Sequence, residues 1–243
     1  MTRYGLIGRS LSHSFSARYF TEKFANEGLR DHRYDLFELN AIDELGGLLR
    51  STKGLRGLNV TIPFKQEIIP LLDELDPTAA VVGAVNTVKL IDGRTIGFNT
   101  DVAGFRSTLL PLLNGSKPRA LVLGSGGASR AVAFVLRELG IKFRVVSRSR
   151  ERGDLSWDLV EPIVVEVSTL IINTTPLGMA PATHAKPDLP YSAIGPKHIL
   201  IDLVYNPERT AFLKVGESRG ARTVNGLAML HAQADASWAI WNN

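Results

Sequence analysis

The chain has 243 residues and no cysteine, which excludes disulfides and thiolate metal sites. With 44% hydrophobic and 21% charged residues it is not a disordered polymer, and no apolar run nears the ~20 residues that span a bilayer. The net charge of +4 is unevenly placed: residues 1–100 carry 12 basic and 12 acidic side chains, residues 101–225 carry 16 and 11, and residues 226–243 carry only Asp235.

Met1–Gly8 lacks the apolar stretch of a signal peptide, so the expected compartment is the cytoplasm. Arg3–Gly8 reads as a strand, and Ser16–Glu27 as a helix stopped by Gly28, with Phe20 and Phe24 one turn apart. Arg33–Leu39 is a second strand and Ala41–Arg50 a second helix. Gly57–Ile62 is a strand closed by Pro63, and Phe64–Leu72 is expected to be a short helix. Val85–Ile91 and Arg94–Phe98 flank Asp92-Gly93, a two-residue hairpin signal. Strands alternating with helices predict an α/β fold with a mostly parallel sheet.

Asp101–Leu113 is a predicted helix, and the turn Asn114–Pro118 is a candidate boundary. A second α/β unit follows: strand Arg119–Leu123, helix Ala128–Leu139 stopped by Gly140, and strand Lys142–Ser147. Thr169–Asn173 and His198–Leu203 read as buried strands, and Gly226–Trp241 as a terminal helix with an apolar stripe.

Between the first strand and helix of this second unit lies Gly124-Ser125-Gly126-Gly127-Ala128. Glycines at a strand-to-helix turn let backbone approach a pyrophosphate, and the helix N-terminus offers free N–H groups. The third fingerprint glycine is missing, since Ser129 stands there. The next strand ends in Ser147-Arg148-Ser149-Arg150, with Arg152 beyond and no acid at its tip. NAD binders place a carboxylate there for the ribose hydroxyls, and it would repel a 2′-phosphate that guanidinium groups accept. The pattern therefore predicts NADP(H) over NAD. The window 142–152 alone is +4, and much of that charge is expected to serve this one phosphate, Arg148 first and then Arg150 and Arg152.

Polar clusters follow several strands of the first unit: Ser12–Ser16, Asn59–Lys65, Gly83–Thr87 and Gly97–Asp101. Ligands of open α/β sheets sit beyond the carboxyl ends of strands. Serines before a helix are also its ordinary caps. Lys65 and Asp101 are the candidate proton-handling pair, an amine for a developing oxyanion and a carboxylate to orient it.

Together these segments resemble the shikimate dehydrogenase family over nearly the whole chain, in order. Asn59–Lys65 resembles its NVTxPxK motif, Gly83–Thr87 its GAVNT, Gly97–Gly104 its GxNTDxxG and Gly124–Ala131 its GxGGAxxA loop. Asn173–Met179, Asp202–Pro207 and Gly226–Leu230 with Gln233 resemble further motifs. The resemblance implies a substrate-binding and catalytic domain formed by 1–100 and 226–243. A Rossmann-like NADP-binding domain would span 101–225, with the C-terminal helix returning to the first domain. Catalysis would rest on Lys65 and Asp101. Ser14, Ser16 and Tyr205 would hold the substrate carboxylate, and Thr61, Asn86, Asp101 and Gln233 its ring hydroxyls. Gly124, Ser125, Gly126, Gly127 and Ala128 would cradle the pyrophosphate, with Ser147, Arg148, Ser149 and Arg152 on the 2′-phosphate. Thr174, Met179, Gly226 and Met229 would complete the cofactor site, the two methionines near the nicotinamide.

The implied activity is reversible reduction of 3-dehydroshikimate to shikimate by NADPH, in chorismate and aromatic amino acid biosynthesis. It needs no metal, nucleic acid or membrane partner, and the chain would act as a monomer or homodimer. Ala17 and Ser147-Arg148-Ser149 depart from the commoner family residues, and 153–168 is too short for a full crossover helix. The alternatives are a quinate/shikimate dehydrogenase and a catalytically silent NADPH-binding regulator. Nucleic-acid binding would need a basic stripe beyond 142–152.

Overall fold

The computed structural model describes residues 1–11 and 14–243, so Ser12 and His13 of the first polar cluster lie outside the described residues. The chain divides into two compact units, Met1–Thr100 with Ala234–Asn243, and Asp101–Gln233.

In the first unit β1 (Thr2–Gly8), α1 (Phe15–Asn26) and β2 (His32–Glu38) form a parallel β–α–β crossover. A 3-10 turn (Ile42–Glu44) and α2 (Leu45–Ser51) lead to β3 (Leu55–Val60), which pairs parallel with β1. Next come β4 (Glu74–Leu75), α3 (Pro77–Val82), β5 (Thr87–Ile91) and β6 (Arg94–Phe98). The sheet order is β2-β1-β3-β5-β6-β4, and β5 alone runs against the rest. The β5–β6 hairpin turns on Asp92 and Gly93 at φ 51° and 76°, the left-handed pair that a two-residue turn requires.

The expected helix at Phe64–Leu72 does not form. The segment is a chain of turns ending in a 3-10 turn at Ile69–Leu71. Pro70 is the reason: it has no N–H to return to Gln66, so one i→i−4 bond (Ile68 to Phe64) gives way to i→i−3 bonds.

Two clusters fill this unit. Leu58, Phe64, Ile68 and Val88 centre one. The other is aromatic, with Tyr4, Phe20, Phe24 and Tyr34 joined by Trp238 and Trp241 from the C-terminal helix α8 (Leu227–Asn242). Phe20 stacks on Tyr34 at 4.6 Å, Tyr4 on Trp241 at 4.8 Å, and Trp241 Nε1 donates to Val88 O at 3.0 Å. Burying each such ring contributes about 1.5–3 kcal/mol.

The second unit starts with α4 (Asp101–Leu113), then β7 (Ala120–Leu123), α5 (Gly127–Glu138) and β8 (Phe143–Ser147). Only two 3-10 turns, the two-residue β9 (Leu155–Ser156) and the six-residue α6 (Pro162–Val167) occupy 150–167. β10 (Leu170–Asn173), β11 (Ile199–Asp202), α7 (Ala211–Ser218) and β12 (Arg222–Val224) complete a wholly parallel sheet ordered β12-β11-β10-β7-β8-β9. The strand order reverses between β7 and β10, so a doubly wound sheet opens its crevice beyond those two carboxyl ends. Its strands are continuously apolar because helices cover both faces.

Candidate active site

In the first unit the polar clusters gather beyond β1, β3 and β6. Ser14 is the N-cap of α1, and its Oγ accepts from Ser16 N at 3.2 Å. Ser16 lies against Tyr34, whose buried phenol is pushed well above its ordinary range by desolvation, with the Ser16 hydrogen bond opposing. Thr61 and Lys65 sit on the turn after β3, both half-buried. Phe64 N donates to Thr61 O at 2.9 Å, and Val85 N to Lys65 O at 2.7 Å, which ties this turn to the strand start that carries Asn86.

Asn86 is buried, and its Oδ1 accepts from Thr100 N at 2.7 Å while its Nδ2 donates to Thr100 Oγ1 at 2.9 Å. Around it runs a polar network that sequence reasoning missed. Tyr34 donates to Asn59 Oδ1 at 2.8 Å, and Asn59 Nδ2 donates to Ser237 Oγ at 3.0 Å. Ser237 Oγ lies 2.7 Å from Thr87 Oγ1 and 3.2 Å from Thr100 Oγ1. Its one sequence signal is a lone serine, Ser237, beside the apolar residues of α8.

Asp101, directly after Thr100, is buried at the start of α4. In the second unit Gly124 adopts φ +107°, and a Cβ there would lie 2.9 Å from Thr174 Oγ1. Gly126 caps α5 without any side-chain bond, and a Cβ on it would meet open space. The first N–H groups of Gly127 and Ala128 therefore border room for a ligand.

Three serines link the loops after β7 and β8. Ser125 Oγ and Ser147 Oγ are 2.8 Å apart, and Ser149 N donates to Ser147 Oγ at 3.2 Å. Thr174 is fixed to β7 through N and Oγ1, both donating to Leu123 O at 2.9 and 2.7 Å. Arg148, Arg150 and Arg152 are exposed on the β8 loop. Among the described residues, Arg148 and Arg152 form no ion pair.

The basic window is divided by the fold. Lys142 precedes β8 and Arg144 lies within it, whereas Arg148, Arg150 and Arg152 follow it. A five-residue strand separates its ends by ~15 Å. Three of the window's five cations, Arg148, Arg150 and Arg152, therefore share that loop.

Met179 is 44% exposed and Met229 6%. Gly226 lies so close to Leu203 that a Cβ would stand 2.2 Å from its carbonyl oxygen, and its N–H donates to Val204 O at 3.1 Å. Tyr205 is half-buried on the loop after β11, and Gln233 Nε2 donates to Leu230 O at 2.9 Å. Asp202, at the end of β11, is fully buried, and desolvation pushes its carboxyl up to about 6 against the bonds it accepts from Thr210, Val204 and Asn173. No helix among the described residues is long and apolar enough to cross a membrane.

Residues 6–88 match the family model for the shikimate dehydrogenase substrate binding domain. A shikimate dehydrogenase (NADP(+)) of Desulforamulus reducens is 35% identical over 261 residues, covering 98% of this chain and 88% of the relative. The structure of a shikimate 5-dehydrogenase from Thermus thermophilus, in complex with NADP(H) and shikimate, superposes with a TM-score of 0.88 at 34% identity, covering 99% of this chain and 93% of the other. A quinate dehydrogenase from Corynebacterium glutamicum, in complex with NAD, superposes with a TM-score of 0.87 at 29% identity, covering 99% and 93%.

Proposed function

The chain belongs to the shikimate dehydrogenase family, and from that footing we propose that it is an NADP-dependent shikimate dehydrogenase, reversibly reducing 3-dehydroshikimate to shikimate in chorismate and aromatic amino acid biosynthesis. The observation that carries this reading is the match to an NADP-dependent shikimate dehydrogenase along 98% of the chain. A quinate dehydrogenase shares the fold at lower identity, so the fold alone does not choose the substrate.

The residues present fit NADP. Open space at Gly126, the uncapped start of α5 and a β8 tip without a carboxylate, followed by exposed Arg148 and Arg152, suit a pyrophosphate and a 2′-phosphate. Gly124, Ser125, Gly126, Gly127 and Ala128 would hold the first, with Ser147, Arg148, Ser149 and Arg152 on the second. Thr174, Met179, Gly226 and Met229 would line the rest. When bound, the cofactor supplies or accepts hydride.

The chain's own groups would then bind, orient and move a proton. Ser14, Ser16 and Tyr205 hold the substrate carboxylate. The helix cap uses a lone pair of Ser14 Oγ, which leaves its proton for a carboxylate oxygen. Thr61, Asn86, Asp101 and Gln233 hold the ring hydroxyls. Lys65, oriented by Asp101, gives its proton to the oxygen that becomes negative during reduction and recovers it in the reverse direction. In this reading 1–100 with 226–243 is the substrate and catalytic domain and 101–225 the NADP domain. The enzyme works in the cytoplasm as a monomer or homodimer.

The test is purified protein with shikimate or quinate and NADP or NAD, followed by reduced-nicotinamide absorbance. Turnover with shikimate and NADP is expected. Turnover with quinate alone would transfer the reading to the quinate branch, none with either would make the chain a silent NADPH binder, and equal or tighter NAD binding would remove the assignment of the β8 loop.

A further inference from the structure

β10 and β11 end side by side, with Asn173 paired to Asp202 in the parallel register, and both side chains are completely buried. The Asp202 carboxylate accepts from Asn173 Nδ2 at 2.9 Å, from Val204 N at 3.0 Å and from the Thr210 hydroxyl at 2.6 Å. Each donor belongs to a different piece of chain: the neighbouring strand, its own following loop, and the N-cap of α7. Asn173 extends the network through its other end. Its Oδ1 accepts from Thr175 N at 3.0 Å and Thr175 Oγ1 at 2.6 Å, and its Nδ2 also reaches Leu177 O at 3.4 Å. Further out, Ala180 N donates to Asn206 O at 3.2 Å and joins the two loops directly.

We propose that Asp202 is a positioning residue of the reaction: it locks the β10 loop, which carries Thr174 and Met179, to the β11 loop, which carries Tyr205. The inference rests on the functional reading above, because the value of that lock is the joint placement of a cofactor-side and a substrate-side group.

The energetics favour a functional over a purely cohesive role. Ionising a carboxylate in a dry interior is costly, and apolar residues of similar volume commonly stabilise a fold as well or better. What an apolar residue lacks is the ability to hold three donors from three segments in one geometry. A fully satisfied buried network of this kind specifies a single arrangement. Tyr191, whose hydroxyl donates to Pro187 O at 2.7 Å, feels the charges of both Asp188 and Asp202, and neither Tyr191 nor Asp188 offers Asp202 a cation.

The experiment compares Asp202→Ala, Asp202→Asn and Thr210→Val in the full chain, with folded fraction fixed by circular dichroism. The substrates are shikimate and NADP, each varied. Asp202→Ala is expected to lower kcat about tenfold or more and to raise the KM for shikimate, since small misplacements of reacting groups cost up to ~10²-fold. Asp202→Asn keeps an acceptor for Asn173 and Val204 and should return kcat to within about threefold of the parent, a rescue consistent with hydrogen-bond geometry rather than charge. Thr210→Val removes one bond and should move the same parameters in the same direction by less, which keeps the idea testable if the alanine variant does not fold. Hydrogen exchange supplies a readout independent of turnover: amides of 174–180 and 203–206 should exchange faster together in the substituted chains. A folded Asp202→Ala with kcat and both KM values within about twofold of the parent, or unchanged exchange in the two loops, would overturn the proposal. If the parent chain fails to turn over shikimate, the functional reading falls, and exchange alone decides whether Asp202 locks the loops.

Discussion

Replacing Ser237 with alanine removes one oxygen from a completely buried site. That oxygen lies 2.7 Å from Thr87 Oγ1, 3.0 Å from Asn59 Nδ2 and 3.2 Å from Thr100 Oγ1. The loss orphans nothing outright. Asn59 Nδ2 still reaches Thr87 Oγ1 at 3.2 Å and Asn86 O at 3.3 Å, and the two threonine hydroxyls remain 3.2 Å apart. The cost is therefore that of hydrogen bonds exchanged for weaker ones, about 1 kcal/mol each, and about 1–3 kcal/mol in all. Urea unfolding should show the midpoint falling with an unchanged slope. Because Thr87 and Ser237 share one network, Ser237→Ala and Thr87→Val together should miss additivity by about 0.5 kcal/mol or more. A single-variant loss below about 0.5 kcal/mol, or strict additivity, would refute the network as a cooperative element. Since Asn86 is held by Thr100, which precedes Asp101, a rise in the KM for shikimate should accompany the stability loss.

The Asp202 carboxyl rises from an ordinary 3.8 to about 6, so the folded chain binds its proton more tightly than the unfolded chain does. Its ionised form opposes folding above pH 6, and that opposition is lifted as pH falls through 6 toward 4, by about 3 kcal/mol at most. Between pH 7 and 4 the wild type should gain stability relative to Asp202→Asn, and a constant difference in urea midpoints would contradict this. Lys65→Ala should cut kcat by roughly 10²-fold, the scale of general-acid catalysis, and a wild-type rate would remove Lys65 from the role. Arg148→Ala should weaken NADP binding about tenfold or more while leaving NAD binding near its starting value, as expected for one charge-assisted bond; parallel losses in both titrations would contradict that. Ser14→Ala should raise the KM for shikimate with little change in kcat, and should also cost about 1 kcal/mol by uncapping α1; a fall in kcat at constant KM would be the wrong result.

Local chemistry was legible where one segment sufficed. The Asp92-Gly93 hairpin, the Gly124–Gly127 turn and the Ser14 cap each follow from a few adjacent residues, and each forms. Pro70 is visible inside the expected Phe64–Leu72 helix, and the backbone follows the proline into a 3-10 turn. α3 carried its own signals, with Asp76 accepting from Thr78 N at 2.9 Å, Pro77 in the first turn and Gly83 at φ 67°, and it went unread because it is only six residues long. Other features needed strand pairing that no local pattern contains. Asn173 and Asp202 are 29 residues apart, and only the β10–β11 register makes them neighbours. Ser237 and Asn59 are 178 apart and meet only because α8 packs on the first sheet. The charge window shows the converse: Lys142 and Arg150 are close in sequence, yet they flank opposite ends of β8.

The brevity of β9 has a consequence for how the molecule behaves in a crowded solution. An outer strand with unpaired backbone groups is a template on which another chain can add. At one margin of the second sheet that template is two residues long, and at the other, β12, it is three. β4 likewise closes the first sheet with two. Among the described residues only β2 offers a long margin, and there Asp35 is ion-paired to both Arg3 and Arg33, so an incoming strand would have to displace or desolvate fixed charge. The shortened connection after β8 thus leaves little edge for self-association by strand addition.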